Sequence, residues 1–345
     1  MVTKIGIDLG YANITLSNAI ADIYREPSVV LVDKGTRRIL SVGAKAALGD
    51  EGEERESGGV LVRPFKNGLL YSSALTSEII NNVVSAIKPA EKIRCIIGLP
   101  SDMVPKQESE IFDMLESAGV DESYSVNRAV AALIGAGYAP TISAISVNVG
   151  ASATEIVIIH KGNILISERA MIGGEDFDKA IKQYILEQGD MNISLLVART
   201  IKERLGTVWQ GKESESIDIE GTLSLTGSKV KMSISTEDVV GVFEKPLQQL
   251  LVAIANAVKR IPTNAVNDIF DNGIILTGGA AELFGLDIMI EKVLGITVTK
   301  PNNAIDSVAK GLSRIHTFLP MKSKFSGKNI TLHLAKFYEA KKTQK

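Results

Sequence analysis

The sequence predicts an α/β chain of two lobes, each a mixed sheet with helices packed on it, plus smaller inserted subdomains. Three observations lead there. Strand-like runs alternate with runs of helical period through both halves of the 345 residues, the pattern of sheets covered by helices. A short device, Ile7-Asp8-Leu9-Gly10, returns as Val147-Asn148-Val149-Gly150 about 140 residues later, as an internal duplication would leave it. A further apolar strand, Ile274 to Leu276, runs into the pair Gly278-Gly279.

The elements follow in order. Ile5, Ile7 and Leu9 alternate into Gly10 and the pattern resumes at Ile14 to Leu16, a hairpin about a small-residue turn. The polar stretch Gly49 to Gly59 reads as an exposed loop. Ile79, Ile80, Val83, Val84 and Ile87 fall at helical spacing, as do Ile111, Leu115 and Ala118 before a stop at Gly119, with a buried strand from Ile93 to Gly98 between them. In the second half Ile145, Val147 and Val149 form the matching strand, and Ile156 to Ile159 answers it before a turn at Lys161-Gly162-Asn163. Helices are expected over Phe177–Leu186, over Leu195–Leu205 with Gly206 as stop, and over Thr236–Val258. Ser235 and Asp238 cap the last of these, and Pro246 kinks or divides it. From Met321 onward the pattern fades into a tail of seven lysines and one glutamate, read as an appendage dispensable to ligand binding. If that tail is helical, Ile330, Leu334 and Phe337 share a face suited to an acidic membrane surface or an acidic protein.

Composition narrows the classes. At 45% apolar and 23% charged residues the chain can bury large cores. Thirty-eight basic residues against 40 acidic ones leave no field that would draw it to nucleic acid, so no nucleic-acid partner is expected. Cys95 is the only cysteine, which excludes an internal disulfide and points to a reducing, cytoplasmic setting. No apolar run reaches membrane-spanning length, and no leader pattern precedes the first strand.

Three segments carry chemistry. Asp8-Leu9-Gly10-Tyr11-Ala12-Asn13 sets a carboxylate at a strand end and then a tight loop whose amides can face an anion; alone, it is equally a plain hairpin turn. Asn148-Val149-Gly150-Ala151-Ser152-Ala153-Thr154 is the second such loop, and two facing loops can hold phosphates from opposite sides. In Gly273-Ile274-Ile275-Leu276-Thr277-Gly278-Gly279-Ala280 the paired glycines let a flat ring approach the backbone, or serve only the dihedrals of a turn.

In this order and at these separations, the three segments resemble the two phosphate motifs and the adenosine motif of the actin/Hsp70/sugar-kinase superfamily, the ribonuclease H-like fold. Arg25-Glu26-Pro27-Ser28-Val29-Val30, Arg63-Pro64-Phe65-Lys66-Asn67-Gly68, Gly98-Leu99-Pro100-Ser101 and Ile172-Gly173-Gly174 narrow the likeness to the MreB/Mbl branch of bacterial actins. It runs from about Lys4 to Leu319. The resemblance implies ATP or ADP with Mg2+ between two lobes, and self-association into protofilaments that organise cell shape or an intracellular structure. It divides the chain into lobe I (1–140 and 305–320, small subdomain about 31–75), lobe II (141–304, small subdomain about 182–257) and a basic tail (321–345). Carried over by residue, Asp8, Gly10, Tyr11, Ala12 and Asn13 meet phosphate, with Asp8 holding the metal through water. Gly150, Ala151, Ser152 and Thr154 hold phosphate from the other lobe. Gly278, Gly279 and Ala280 pack on adenosine, and Lys202 either reaches ribose or base or is a solvated helix residue. A small-metabolite kinase, or a magnetosome- or plasmid-positioning actin, is the alternative.

The departures are equally specific. Asn148 stands where the family has an aspartate, and Tyr11 where it has a threonine. Arg128, in Asn127-Arg128-Ala129, stands where the second glutamate of a Glu-Glu-Pro sequence orients the attacking water. Arginine cannot act as a base, so the expected activity is at most a weak ATPase, unless Asp121 or Glu122 supplies the carboxylate.

Overall fold

The computed structural model describes residues 2–18, 23–47, 59–66, 69–87, 92–320 and 326–343. The loop expected at 49–59 falls outside these, apart from Gly59, which opens a strand.

Lobe I begins with the meander β1 (Val2–Leu9), β2 (Asn13–Asn18) and β3 (Ile23–Pro27). A small sheet of β4 (Val30–Asp33), β5 (Ile39–Val42) and β6 (Gly59–Val62) follows, then the hairpin β7 (Phe65–Lys66) and β8 (Leu69–Leu70). The chain then alternates through α1 (Ser73–Ser85), β9 (Lys92–Leu99), α2 (Pro105–Ser117), β10 (Glu122–Asn127) and α3 (Arg128–Gly135). One face of β1 sets Ile5, Ile7 and Leu9 against Ile79, Ile80, Val83, Ile111 and Leu115 of α1 and α2. Gly119 ends the α2 turn at φ +92°, the left-handed conformation that a stop at glycine requires.

Lobe II repeats the plan with β11 (Ala144–Val149), β12 (Thr154–His160), β13 (Asn163–Ala170) and α4 (Gly174–Gly189). An inserted sheet of β14 (Met191–Asn192), β15 (Ser216–Leu223) and β16 (Lys229–Ser235) follows, with α5 (Leu195–Leu205) between its first two strands. After α6 (Thr236–Val239), α7 (Glu244–Val258) and α8 (Val266–Phe270) come β17 (Ile274–Thr277), α9 (Leu286–Leu294) and β18 (Val298–Thr299). The long helix expected over 236–258 is therefore two. The break lies at residues 240–243, where Gly241 sits at φ +85°, and not at Pro246. Pro246 stands in the first turn of α7, where its missing N–H leaves no bond unmade.

The duplication holds at the level of topology. β1 pairs antiparallel with β2 and parallel with β9; β11 pairs antiparallel with β12 and parallel with β17. Asp8 lies opposite Thr15 as Asn148 lies opposite Glu155, so the two loops leave their sheets at the same point of the pleat.

Between the two sheets lie α3 and α10 (Ser307–Ile315), whose core includes Ile96 and Val126 from one sheet and Val157 and Ile275 from the other. Their backbones nearly touch. A Cβ on Gly135 would stand 1.7 Å from the Ser307 carbonyl oxygen, and one on Gly311 1.8 Å from that of Ala131. Arg314 donates to the carbonyls of Ile134 and Gly135 at 2.8 and 2.9 Å, satisfying the end of α3.

The basic tail is not an appendage throughout. β19 (Lys328–Asn329) adds a parallel edge strand to β10, and α11 (Leu334–Lys342) folds back behind it. Ile330 and Leu334 are fully buried in the α3–α10 core, with Phe337 and Tyr338 packed on it. The face expected to meet a membrane is spent on the fold, leaving Lys336, Lys341 and Lys342 exposed. Thr331 Oγ1 accepts the Asn127 amide at 2.8 Å, directly ahead of α3, so this segment packs against the element that opens with Arg128.

Candidate functional site

Where the lobes face each other, the loops after β1 and β11 and the turn after β17 line a single cleft. Its narrow part, about 130 Å3, is walled by Asp8, Gly10, Tyr11, Ala12, Asn13, Asn148, Gly150, Ala151, Ser152, Gly278 and Gly279, with Arg25, Arg128, Glu155 and Arg169. It continues into a wider cavity of about 550 Å3 lined by Gly174, Asp178, Lys202, Glu203, Gly206, Gly279, Ala280 and Leu283. That is the size range of small-molecule sites. A narrow end rich in loop amides and arginine, opening into a wider and less polar chamber, suits a phosphate chain joined to a ring.

The loops are shaped by close backbone contacts. Gly10 leaves no room for a Cβ, which would lie 2.4 Å from the Asn13 carbonyl oxygen. The second loop is tied to the start of α4: Gly174 N–H donates to Gly150 O at 2.9 Å and Glu175 N–H to Ala151 O at 2.8 Å. Gly278, at φ +94°, brings its Cα against Val149, where a Cβ would sit 2.3 Å from that residue's carbonyl oxygen.

Arg128 occupies the centre. As the first residue of α3 it meets unpaired amides of like partial charge, a poor place for a cation, and acceptors from both lobes hold it there. Nε–H donates to Asp8 Oδ1 at 2.8 Å, Nη1–H to Glu155 Oε1 at 3.0 Å and Nη2–H to the Leu9 carbonyl at 2.8 Å. Its side chain is 12% exposed, against 17% for Asp8 and 3% for Glu155. Arg169 of β13 makes a second bridge between the lobes, to Asp102 at 2.6 Å, and Arg25 pairs with Asp306.

Arg128 and Glu155 both have raised pKa values, for different reasons. Burial disfavours the Arg128 charge, but Asp8 and Glu155 together outweigh it and raise its pKa. Glu155 is pushed up to about 7 chiefly by burial; Arg128 and Arg169 pull it back, while Asp8 and Asp102 repel its charge. Glu155 Oε2 is buried with no hydrogen-bond partner among the described residues.

Most of the expected residues meet in the cleft, but three expectations change. Thr154 does not reach it: fully buried, its hydroxyl donates to the Ile172 carbonyl at 2.7 Å, and Ala153 and Glu155 line the cavity on either side. Lys202 is not a solvated residue. Its ammonium lies 2.6 Å from Asp178 and donates to Gly174 O at 2.8 Å, on the wall of the wider cavity. Neither Asp121 nor Glu122 supplies a carboxylate, since Asp121 accepts the Ile93 amide and Glu122 binds Arg94, both away from the cleft. Sequence reading missed Glu155, Arg169 and Arg25. Glu155 was findable as the cross-strand neighbour of Asn148 in the second hairpin.

Nor does the donor set at Asp8 suit a divalent cation. The carboxylate is already engaged by a guanidinium, Asn148 supplies an amide that accepts from Thr277 Oγ1 at 3.3 Å, and no group of three acidic, histidine or cysteine side chains able to hold a metal occurs among the described residues. Hard cations take carboxylate and water oxygens, and a neighbouring guanidinium opposes them.

Two duplicated lobes clamping a cleft between hairpin loops place the molecule in the actin-like class. Comparison with known proteins narrows this. A profile of the MreB/Mbl protein family matches residues 2–324, and the chain belongs to that family. It is an actin-like cytoskeletal protein, of the kind involved in cell shape or intracellular organisation. It is 28% identical over 317 residues to the cell shape-determining protein Mbl of Bacillus cereus, covering 89% of this chain and 93% of that one. MreB5 of Spiroplasma citri, solved with ADP, superposes with a TM-score of 0.85 at 21% identity over 92% of this chain and 97% of its own. MamK, solved as a double helical filament, does so at 0.78 and 20%, over 93% and 100%. No helix among the described residues is long and apolar enough to cross a membrane.

Proposed function

We propose that this protein binds ATP or ADP in the interlobe cleft, polymerises into filaments in the cytoplasm, and hydrolyses ATP slowly or not at all. Lobe I comprises 1–140 and 305–320 together with the 328–342 segment, and lobe II comprises 141–304. The phosphates lie between the loops at Gly10–Asn13 and Gly150–Ala153, and the adenosine beside Gly278, Gly279, Ala280 and Lys202. The ADP bound to the Spiroplasma MreB5 and the filament of MamK support the nucleotide and the polymer. The observation that carries the reading on turnover is Arg128 at the start of α3, locked to Asp8 and Glu155. A water-orienting group must accept a proton or a hydrogen bond, and a guanidinium does neither. Magnesium, expected beside Asp8, would meet a carboxylate already engaged by Arg128. Lys336, Lys341 and Lys342 on the exposed side of α11 remain available to an acidic surface.

Electron microscopy and pelleting of the purified protein test this. Filaments should form with ATP and equally with a non-hydrolysable analogue. Phosphorylation of a small metabolite without polymer would favour the kinase reading instead.

Two further outcomes follow from the site. Gly278→Ala strains a positive-φ backbone and drives a methyl into the Val149 carbonyl and Asn148, so it should lower stability by roughly 1–3 kcal/mol in chemical denaturation. Glu155, with its pKa near 7, is neutral below that pH and anionic above it, so its repulsion of phosphate grows as pH rises. Relative to Glu155→Gln, the wild type should therefore lose roughly three- to tenfold in nucleotide affinity between pH 6 and 8. A parallel pH profile in the two proteins would contradict this.

A further inference from the structure

We propose that the Arg128 guanidinium takes the place of the divalent cation in this cleft, so that the protein binds nucleoside di- and triphosphates without magnesium. The inference rests on the nucleotide reading above and goes beyond it, because a chain that merely lost its hydrolytic group would still bind its nucleotide as a metal complex.

Four observations support the substitution. Arg128 sits between the lobes, lining the narrow part of the cleft together with Asp8 and both phosphate loops. It is bonded to the carboxylate that would otherwise hold that cation's water shell, and is fixed by two further acceptors, Glu155 and Leu9 O. Those three bonds use three of the five guanidinium N–H groups, leaving two donors for phosphate oxygens. The opposite position, where a second acidic oxygen would help hold hydrated metal, carries the neutral amide of Asn148, itself bonded to Thr277. Charge supports the same reading. Arg25 and Arg169 line this end of the cleft as well, each paired with a carboxylate outside its wall, Asp306 and Asp102, so that Arg128 with Asp8 and Glu155 makes up the remaining charge. A divalent cation entering here would meet a guanidinium of like charge in a poorly solvated cleft, whereas a bare phosphate chain would meet charge-assisted donors. A guanidinium also matches phosphate as a planar fork and needs no dehydration of a tightly held water shell.

The test is ATP titrated by calorimetry into the full-length protein, once in EDTA and once in excess magnesium chloride. Wild-type affinities should agree within about threefold, where a site that uses the metal would differ by about tenfold or more. Arg128→Ala exposes Asp8 and Glu155 to each other, so it should bind poorly in EDTA and gain about tenfold or more on adding magnesium. Arg128→Lys keeps the charge and should stay indifferent to metal. A thermal melt checks that each variant is folded; if Arg128→Ala is not, the wild type and Arg128→Lys in the two buffers still decide. Wild-type binding that collapses in EDTA would overturn the inference and leave the nucleotide reading standing, as would metal-indifferent binding by folded Arg128→Ala. No binding in either buffer would overturn both.

Discussion

The double variant Arg128→Glu, Asn148→Asp should release phosphate from ATP roughly 10² to 10⁴ times faster than the wild type, the range over which a positioned general base or water-orienting group acts. The two changes belong to one unit, so their effects should not multiply. Their physical consequences differ. A carboxylate at position 128 frees Asp8 from the contact now at 2.8 Å and gathers acidic groups around the phosphate end, which calls for a metal ion to balance them. Turnover in the double variant should therefore depend on magnesium. Arg128→Ala alone removes the cation without supplying an acceptor, so it should weaken ATP binding in the absence of metal and create no activity. Phosphate release measured with each variant separates these cases, and a wild type already as fast as the double variant would contradict them.

Gly311→Ala should destabilise the protein by ~3 kcal/mol or more, at or beyond the upper end of ordinary overpacking costs. Helix propensity argues the other way, since alanine in mid-helix is favoured over glycine by ~1 kcal/mol. Packing decides the sign: the new methyl would lie 1.8 Å from the Ala131 carbonyl oxygen, and backbone cannot retreat as a flexible side chain does. Because α3 carries Arg128 at its start and shares this crossing with α10, the strain should also misplace the guanidinium. Gly135→Ala meets the Ser307 carbonyl and should behave alike. Gly35→Ala, whose methyl would meet only Asp33 Oδ1 at 3.6 Å, should stay within about 0.5 kcal/mol. Chemical denaturation of the three variants checks the order.

The hairpins around Asp8 and Asn148 were legible in the sequence because strand alternation and a glycine turn are local signals, and their recurrence exposed the duplication. The third motif, an apolar strand ending in two glycines, was ambiguous alone and became legible through its order and separation from the two hairpins. What stayed hidden depends on contacts between distant segments. The inserted strands β15 and β16 read weakly because alternate residues face solvent, with Asp218, Glu220, Lys229 and Lys231 among them, and few are fully buried. Residues 328–342 read as a lysine-rich appendage because lysine count says nothing about Ile330 and Leu334, which are buried by partners some 200 residues away, around Ser125 and Val126. Pro246 misled in the opposite direction: a proline interrupts a helix only beyond its first turn, and here the glycine at 241 had already ended the previous one. In the site, Arg128 was conspicuous as a departure from a pattern, but its partner Glu155 was not. The hairpin register sets Glu155 beside Asn148, but only the packing of the lobes brings it to Arg128. Thr154 shows the converse, a polar residue at the expected position whose hydroxyl satisfies a buried carbonyl instead of facing the ligand.

This actin-like chain should assemble on nucleotide binding without timing its polymer by turnover, because Arg128, clasped by Asp8 and Glu155, stands at the sequence position of the group that would activate water. The most direct measurement is phosphate release followed alongside light scattering during ATP-driven polymerisation. Polymer reaching its plateau while phosphate remains well below one equivalent per subunit is the predicted result. Phosphate rising to one equivalent in step with the polymer would contradict it.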